Sequence, residues 1–195
     1  MGLDYSYEII TPARNVAGAL VELAKLAPEN RRASPLTVTL PGGDKVVLPF
    51  TSHFESDPVD CSSGSTLHLD TSMTFSGDDA VRAYCEDSHT ECDELGRVAI
   101  GYIYLTVTFA LEQHPDFASL EFTAATSRMS RLFERSASVR ATFTDLTVAS
   151  GGVACLFDSE IDTVQVCRLN GRPSQETVPA PYLAGYGDLV ARWRS

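Results

Sequence analysis

The chain lacks the features that mark membrane, secreted and disulfide-stabilised proteins. No stretch approaches the ~20 consecutive apolar residues that a transmembrane helix needs. The first residues, from Met1 to Ser6, contain neither the basic start nor the apolar run of a signal peptide. The five cysteines are odd in number and widely spread, which is unlike a disulfide framework and favours reduced thiols. Together these absences predict a cytoplasmic protein.

Positive charge is also scarce. The 15 Lys and Arg residues are outnumbered by 26 Asp and Glu residues, and the resulting net charge of −11 opposes non-specific binding to nucleic acid or to an anionic membrane. The sequence has no G-x-S-x-G, P-loop or G-x-G-x-x-G motif, so no reaction and no cofactor is indicated. The expected partner is a small molecule or a protein. Binding to nucleic acid or to a membrane is not expected, and a homodimer is left open.

What the chain does contain is enough apolar sequence for a sizeable core. Of its 195 residues, 44% are hydrophobic, which is typical of a folded globular protein. Turn residues and apolar periodicity divide it into two strand-helix-strand-strand units at 3–50 and 117–170, central strands within 66–109 and a C-terminal tail at 172–195. These elements predict a single α+β domain over 1–195, with a largely antiparallel mixed sheet built from two β-α-β-β units and helices packed on one face.

The doubled unit resembles the duplicated strand-helix-strand-strand architecture of GyrI-like effector-binding domains. The resemblance covers topology alone, over roughly the first fifty and the last eighty residues. It rests on no shared motif. It therefore implies a related arrangement of elements and assigns no role to any residue.

The strand candidate at 66–75 has one apolar and one polar face. Because successive side chains of a strand point to opposite sides, Leu67 and Leu69 share one face while His68 and Asp70 share the other. The apolar side is expected to face the core. The polar side is left for solvent or for a ligand.

The longest strand candidate, 97–109, is expected to be central in the sheet. Its alternation places Tyr102 and Tyr104 on one face, together with Val98 and Ile100. The next strand candidate contributes a glutamate to the same polar surface. The expected ligand-binding residues are His68, Asp70, Tyr102, Tyr104 and Glu121.

This polar face contains an acid, a base and aromatic rings. Such groups are the ingredients of a small-molecule cleft or of acid-base catalysis. The alternative is the ordinary solvated side of an antiparallel sheet. We expect a non-enzymatic protein that uses this face to bind a small ligand or another protein.

A run of arginines lies in the second unit, where the periodicity predicts one helix from Ser127 to Gly151. Arg128, Arg131 and Arg135 occur at i, i+3 and i+7, along one side of that helix. They are the predicted anion-binding residues, because guanidinium groups and a helix start both favour phosphate or carboxylate. The alternative is that they pair with the surplus carboxylates or with a partner subunit.

Two further functions stay open. One is a hydrolase-type enzyme, either metal-dependent through Cys85, His89 and Cys92 or acid-base through His68 and Asp70. The cysteine and histidine spacing departs from that of the usual zinc sites, so no metal site is predicted. The other is a protein-interaction or immunity-type module whose acidic surface engages a basic partner.

Overall fold

The structure is a computed structural model that describes residues 2–29, 34–52, 54–64, 66–88, 92–93, 95–181 and 186–193. Its strands are β1 (Ser6–Pro12), β2 (Leu36–Thr39), β3 (Lys45–Leu48), β4 (Val59–Asp60), β5 (Thr66–Ser76), β6 (Arg97–Thr108), β7 (Phe117–Ala124), β8 (Ala154–Asp158), β9 (Thr163–Leu169), β10 (Arg172–Pro173) and β11 (Thr177–Pro179). Its helices are α1 (Val16–Ala24), α2 (Asp79–Ser88), α3 (Ser127–Arg135), α4 (Ala137–Ala149) and α5 (Gly187–Trp193). The predicted α+β class is confirmed.

Among the described residues, eight strands form one large sheet in the order β10-β9-β8-β1-β7-β6-β5, with β11 also paired to β9. Every pairing in this sheet is antiparallel. Strand β1 lies in its interior, where Ile9 is opposite Leu120 of β7 on one side and Cys155 of β8 on the other. The prediction of a largely antiparallel sheet is therefore confirmed.

The hairpins of the two strand-helix-strand-strand units lie in different sheets. Strands β8 and β9 continue the large sheet, whereas β2 and β3 form a small sheet with β4, in which β2 and β4 run parallel. The reason is that β7 and β8 occupy both edges of β1, so the hairpin after α1 has no free edge there to pair with. Its buried Val38 and Leu48 join the same apolar core as Leu20 of α1.

Helices α3 and α4 pack on one face of the large sheet, and α1 packs beside α4. We call this the inner face and the opposite side the outer face. Phe143 of α4 lies at the centre of the inner core, with its ring 4.5 Å from that of Tyr7 and 5.0 Å from that of Phe122. The hydroxyl of Tyr7 donates to the carbonyl of Phe133 at 3.0 Å, which satisfies the one polar atom that this aromatic cluster buries.

The helix predicted from Ser127 to Gly151 is two helices. Ser136 between them has an extended backbone (φ −83°, ψ 119°), and its hydroxyl accepts a hydrogen bond from the Val139 N–H at 3.0 Å. Serine favours this N-cap geometry because its side chain replaces a missing backbone partner. The break leaves three arginines on α3 and places Arg140 on α4, away from them.

The C-terminal tail covers one end of the outer face. Trp193 of α5 is 5% exposed and packs against the rings of Phe117 and Tyr186, at 5.3 Å from each. Leu189 and Val190 complete this smaller core over β1, β8 and β9. In the described part of the chain, no helix has the length and apolar character to cross a membrane.

Candidate functional site

The polar side chains predicted to share a surface do lie on the outer face. Residues directly opposite each other in an antiparallel pair point to the same side of the sheet. His68 is opposite Thr106, Thr106 is opposite Glu121, and Glu121 is opposite Glu8. The neighbouring row contains Asp70, Tyr104, Thr123 and Ser6. Four of the five predicted ligand-binding residues therefore lie in two adjacent rows.

A cavity of about 410 Å³ lies at the β5 side of this surface. We call it the outer-face cavity. Its walls include His68, Asp70, Tyr104 and Thr106 from the sheet, and Phe54 from the loop before β4. The ring of Phe54 meets that of His68 edge-on, with the centroids 5.6 Å apart. The cavity thus brings together three predicted residues and one aromatic residue that the strand pattern does not reveal.

Backbone pairing holds the loop that carries Phe54. The Asp70 N–H donates to the Thr51 carbonyl at 2.7 Å, and the Thr51 N–H donates to the Asp70 carbonyl at 3.4 Å. Phe54 itself is 75% exposed, so packing in the core does not explain its position. In the cavity, His68 Nδ1 is 3.3 Å from the hydroxyl of Thr106, which orients the imidazole along the sheet.

Tyr102 does not line the outer-face cavity, because a bulge interrupts β6. Thr71 is opposite Ile103 whereas the next residue, Ser72, is opposite Gly101, so Tyr102 is an extra residue in the strand, with φ at 62°. The bulge also shifts the alternation by one. Two apolar residues predicted to share a face with the tyrosines are instead buried in the inner core, and that prediction is wrong. They are Val98 and Ile100.

Glu121 belongs to a second polar group on the outer face, beside the edge of the C-terminal tail. The Ser119 hydroxyl donates to Glu8 Oε1 at 2.6 Å, and the Tyr186 hydroxyl donates to the same oxygen at 2.5 Å. The Ser6 hydroxyl donates to Glu121 at 3.3 Å. Two glutamates therefore lie side by side, and each is held by hydroxyl groups.

Both of these carboxyl groups bind protons more tightly than usual. Burial raises the pKa of Glu8 to about 7; the two hydroxyl donors oppose this shift and the neighbouring charge of Glu121 adds to it. Burial also raises the pKa of Glu121, against the hydrogen bond from Ser6, although more of this side chain reaches solvent. Sequence reasoning missed Glu8 and Tyr186. The one signal in the sequence was a carboxylate between Tyr7 and Ile9 in a strand candidate.

The three predicted anion-binding arginines line one groove between α2 and α3. This arginine groove has a volume of about 530 Å³, and Arg128, Arg131 and Arg135 all contribute to its wall. The guanidinium of Arg128 lies 4.7 Å from the ring centre of Tyr84 and donates to the Tyr84 carbonyl. The groove lies in the helical layer and not on the outer face.

The residues considered for a metal site are only partly within the described ranges. Cys85 is buried on α2 and Cys92 is exposed beyond it, while His89 lies outside the described residues. Within the described residues, no group of three or more His, Cys, Asp or Glu side chains converges as metal ligands would.

The fold and these surfaces define an α+β protein with a largely antiparallel sheet, and the described residues of its C-terminal tail pack on the outer face over β1, β8 and β9. No protein-family model, no curated protein and no solved structure matches the chain. The topological resemblance to GyrI-like effector-binding domains stays a prediction.

Proposed function

We propose that this protein is a non-enzymatic binding domain that holds a small ligand in the outer-face cavity. The supporting observation is that His68, Asp70 and Tyr104 line one cavity of about 410 Å³ with Phe54. That volume is within the range of small-molecule sites. An ordinary wet sheet surface would not need an exposed aromatic residue at its edge.

The chemistry of the lining residues favours a flat ligand with a positive charge or a hydrogen-bond donor. Phe54 and Tyr104 offer aromatic surfaces, against which rings and cations are both attracted. Asp70 is half-buried and offers a carboxylate acceptor. The net charge of −11 favours the approach of a cation over that of an anion. We therefore infer an aromatic amine or a similar compound.

The spacing of His68 and Asp70 fits a binding role better than an acid-base pair. Residues two apart on a strand are separated by about 7 Å along it, which exceeds the length of a hydrogen bond. A ligand that spans both side chains can contact each of them. The hydrogen bond of His68 is instead with Thr106.

Asp70→Asn and Tyr104→Ala are expected to weaken ligand binding at least tenfold each, because they remove the carboxylate charge and one aromatic wall. The measurement is a thermal-shift screen of aromatic amines, followed by calorimetry on a compound that raises the midpoint. A ligand at a hundred times its Kd stabilises the native state by about 2.7 kcal/mol, which the screen detects readily.

Asp145→Asn is the matched control for this experiment. Asp145 is an exposed carboxylate on α4, on the other side of the sheet, so its loss removes the same charge without touching the cavity. If Asp145→Asn and Asp70→Asn weaken binding equally, the change in net charge explains the loss of affinity and a contact in the cavity does not. Binding that survives Asp70→Asn, Tyr104→Ala and Phe54→Ala unchanged would contradict the proposed site.

We also propose that the arginine groove binds a phosphate-bearing small molecule. Among the described residues, the guanidinium groups of Arg131 and Arg135 form no side-chain hydrogen bond and no ion pair, although the chain has 26 acidic residues. Unpaired guanidinium groups on one side of a groove suit phosphate, which accepts paired hydrogen bonds from them.

The double variant Arg131→Gln/Arg135→Gln is expected to lower the affinity for inorganic pyrophosphate more than tenfold, because hydrogen bonds to charged groups contribute about 1.5–3 kcal/mol each. Calorimetry at low and high salt is the measurement. Arg14→Gln serves as the control, since Arg14 is exposed and lies outside the groove. Equal losses in both variants would contradict a specific site.

A further inference from the structure

Another cavity lies on the inner side of the molecule, between α4 and β9. It has a volume of about 520 Å³, and its wall includes Arg140, Cys167 and Arg168. We call it the thiol cavity. None of its described lining residues belongs to the outer-face cavity or to the arginine groove. Cys167 is 5% exposed, so its side chain is largely protected but forms part of a wall that small solutes reach.

A bulge in β9 places both Cys167 and Arg168 in the wall of the thiol cavity. Cys155 of β8 is opposite Arg168. The next residue, Leu156, is opposite Val166, so Cys167 is an extra residue in β9. Regular alternation would send Cys167 and Arg168 to opposite faces of the sheet, whereas both line the thiol cavity. Cys155 is fully buried and lies opposite Arg168, the residue next to Cys167, so the two cysteines are on neighbouring strands at the bulge.

Two guanidinium groups accompany this thiol. Among the described residues, neither Arg140 nor Arg168 forms an ion pair with a carboxylate. Arg168 donates to the Gly171 carbonyl at 2.5 Å, but its Nε is buried without a hydrogen-bond partner. A buried donor without an acceptor is uncommon in folded proteins. Two positively charged side chains therefore line the thiol cavity with a cysteine, and one of them also has a buried Nε donor without an acceptor.

The two thiols differ in acidity. A hydrogen bond from the Cys155 thiol lowers the pKa of Cys167; burial opposes this shift and the charge of Arg140 adds to it. Cys155 donates this hydrogen bond, which raises its own pKa. Full burial raises that pKa further, well above its usual value. Since the thiolate is the reactive form of cysteine, Cys167 is the member of the pair prepared to react first.

We propose that Cys155 and Cys167 are a peroxide-sensitive thiol pair, in which Cys167 is oxidised first and Cys155 then closes a disulfide with it. The arrangement of the two cysteines across the bulge, with Arg140 and Arg168 at the cavity wall, supports this order. The oxidant is hydrogen peroxide, which is small enough to reach a thiol that is nearly buried.

The chemistry has two balanced steps. In the first, the Cys167 thiolate sulfur attacks one oxygen of hydrogen peroxide, the O–O bond breaks, and the released hydroxide takes up a proton to become water. The sulfur, oxidised by two electrons, now carries an OH group, whose oxygen can accept a hydrogen bond from Arg168. In the second, Cys155 loses its proton, its sulfur attacks the Cys167 sulfur, and the OH group leaves as water with that proton.

The experiment uses the reduced full chain, treated with hydrogen peroxide, denatured and alkylated. Digestion after Glu160 separates the two cysteines, so only a disulfide keeps their fragments together in the mass spectrum. The expected result is a linked pair of fragments that contain Cys155 and Cys167, with Cys61, Cys85 and Cys92 still alkylated. Burial raises the pKa of Cys61 and of Cys85, which makes both slower to react.

Variants separate the two steps. With Cys155→Ser, Cys167 is expected to remain as the sulfenic acid and to be labelled by dimedone. Arg140→Gln/Arg168→Gln is expected to slow oxidation of Cys167 roughly tenfold, because it removes the charge of Arg140, which favours the thiolate, together with the guanidinium of Arg168 in the same cavity wall. Arg172→Gln, outside the cavity, is the control. The proposal is overturned if Cys92, the exposed thiol, is consumed while Cys155 and Cys167 both stay alkylated, or if the arginine variant reacts as fast as the wild type.

Discussion

Replacement of Phe143 with alanine is expected to lower the free energy of unfolding by about 3–5 kcal/mol. Phe143 is fully buried, and its ring contacts aromatic residues from three strands and one helix. These are Tyr7, Phe75, Phe122 and Phe133. Because the neighbours belong to different elements, they cannot all move inward, and a cavity remains where the ring was.

Urea denaturation followed by circular dichroism measures this loss. Phe54→Ala is the control, since Phe54 is an exposed phenylalanine, and its removal is expected to change stability by less than about 0.5 kcal/mol. A loss below about 1 kcal/mol for Phe143→Ala would contradict a core centred on this ring.

The stability of the protein is expected to fall as the pH rises from about 5 to about 8, because of Glu8. Burial raises the pKa of Glu8 from 4.5 to about 7 in the folded state. The folded protein therefore binds this proton more tightly than the unfolded chain does, and the resulting stabilisation is complete below pH 4.5 and is lost as the pH rises through 7. At about 1.4 kcal/mol for each pKa unit, the loss is at most about 3.5 kcal/mol.

Glu8→Gln isolates this effect. Glutamine cannot ionise but keeps an oxygen to accept hydrogen bonds from Ser119 and Tyr186, so we expect the variant to be more stable than the wild type at pH 8 and to have a flatter pH dependence. Urea denaturation at pH 5, 6, 7 and 8 is the measurement. Glu112→Gln, at an exposed glutamate, is expected to keep the slope of the wild type. A slope unchanged by Glu8→Gln would contradict the assignment.

This pH window also separates the effect of Glu8 from that of carboxylates whose pKa is lowered in the folded state. Burial acts to raise the pKa of Asp78, but hydrogen bonds from Ser138, Val81 and Ser136 outweigh it and hold that pKa below its usual 3.8. The stability that Asp78 contributes is present above that value and is lost only as the pH falls further. It is therefore constant between pH 5 and 8.

Regular alternation made much of the sheet predictable from the sequence. In β5, Leu67 and Leu69 are buried and His68 is exposed, as expected from a period of two. The face to which each of these side chains points depends only on the alternation within its own strand. For that reason the shared face of His68 and Asp70 followed from the sequence, whereas the prediction for Tyr104 also required that β5 and β6 share a sheet.

The interruptions of strands and helices were not predictable, because a single residue within an otherwise regular pattern creates each of them. The extra residue Tyr102 reverses the faces of Val98 and Ile100, and nothing in the local alternation reveals it. Similarly, the apolar rhythm from α3 to α4 continues across Ser136, where the backbone is extended.

The walls of the site depend on segments that are distant in sequence. Phe54 reaches the outer-face cavity because the loop before β4 pairs with Asp70. Tyr186 covers Glu8 from a position 178 residues further along the chain. Alternation within a strand predicts which side chains share a face of the sheet. It does not predict which distant segment of the chain packs over that face.

The interior position of β1 has a consequence for the order in which the molecule is assembled. Its two neighbours, β7 and β8, begin at Phe117 and Ala154, so during translation β1 leaves the ribosome long before either of them exists. Both of its edges stay unpaired in that interval and are open to pairing with another chain. Closing such long loops makes folding slow compared with helical proteins of the same size. We therefore expect a nascent chain of this protein to present both backbone edges of β1 until β7 and β8 have been made.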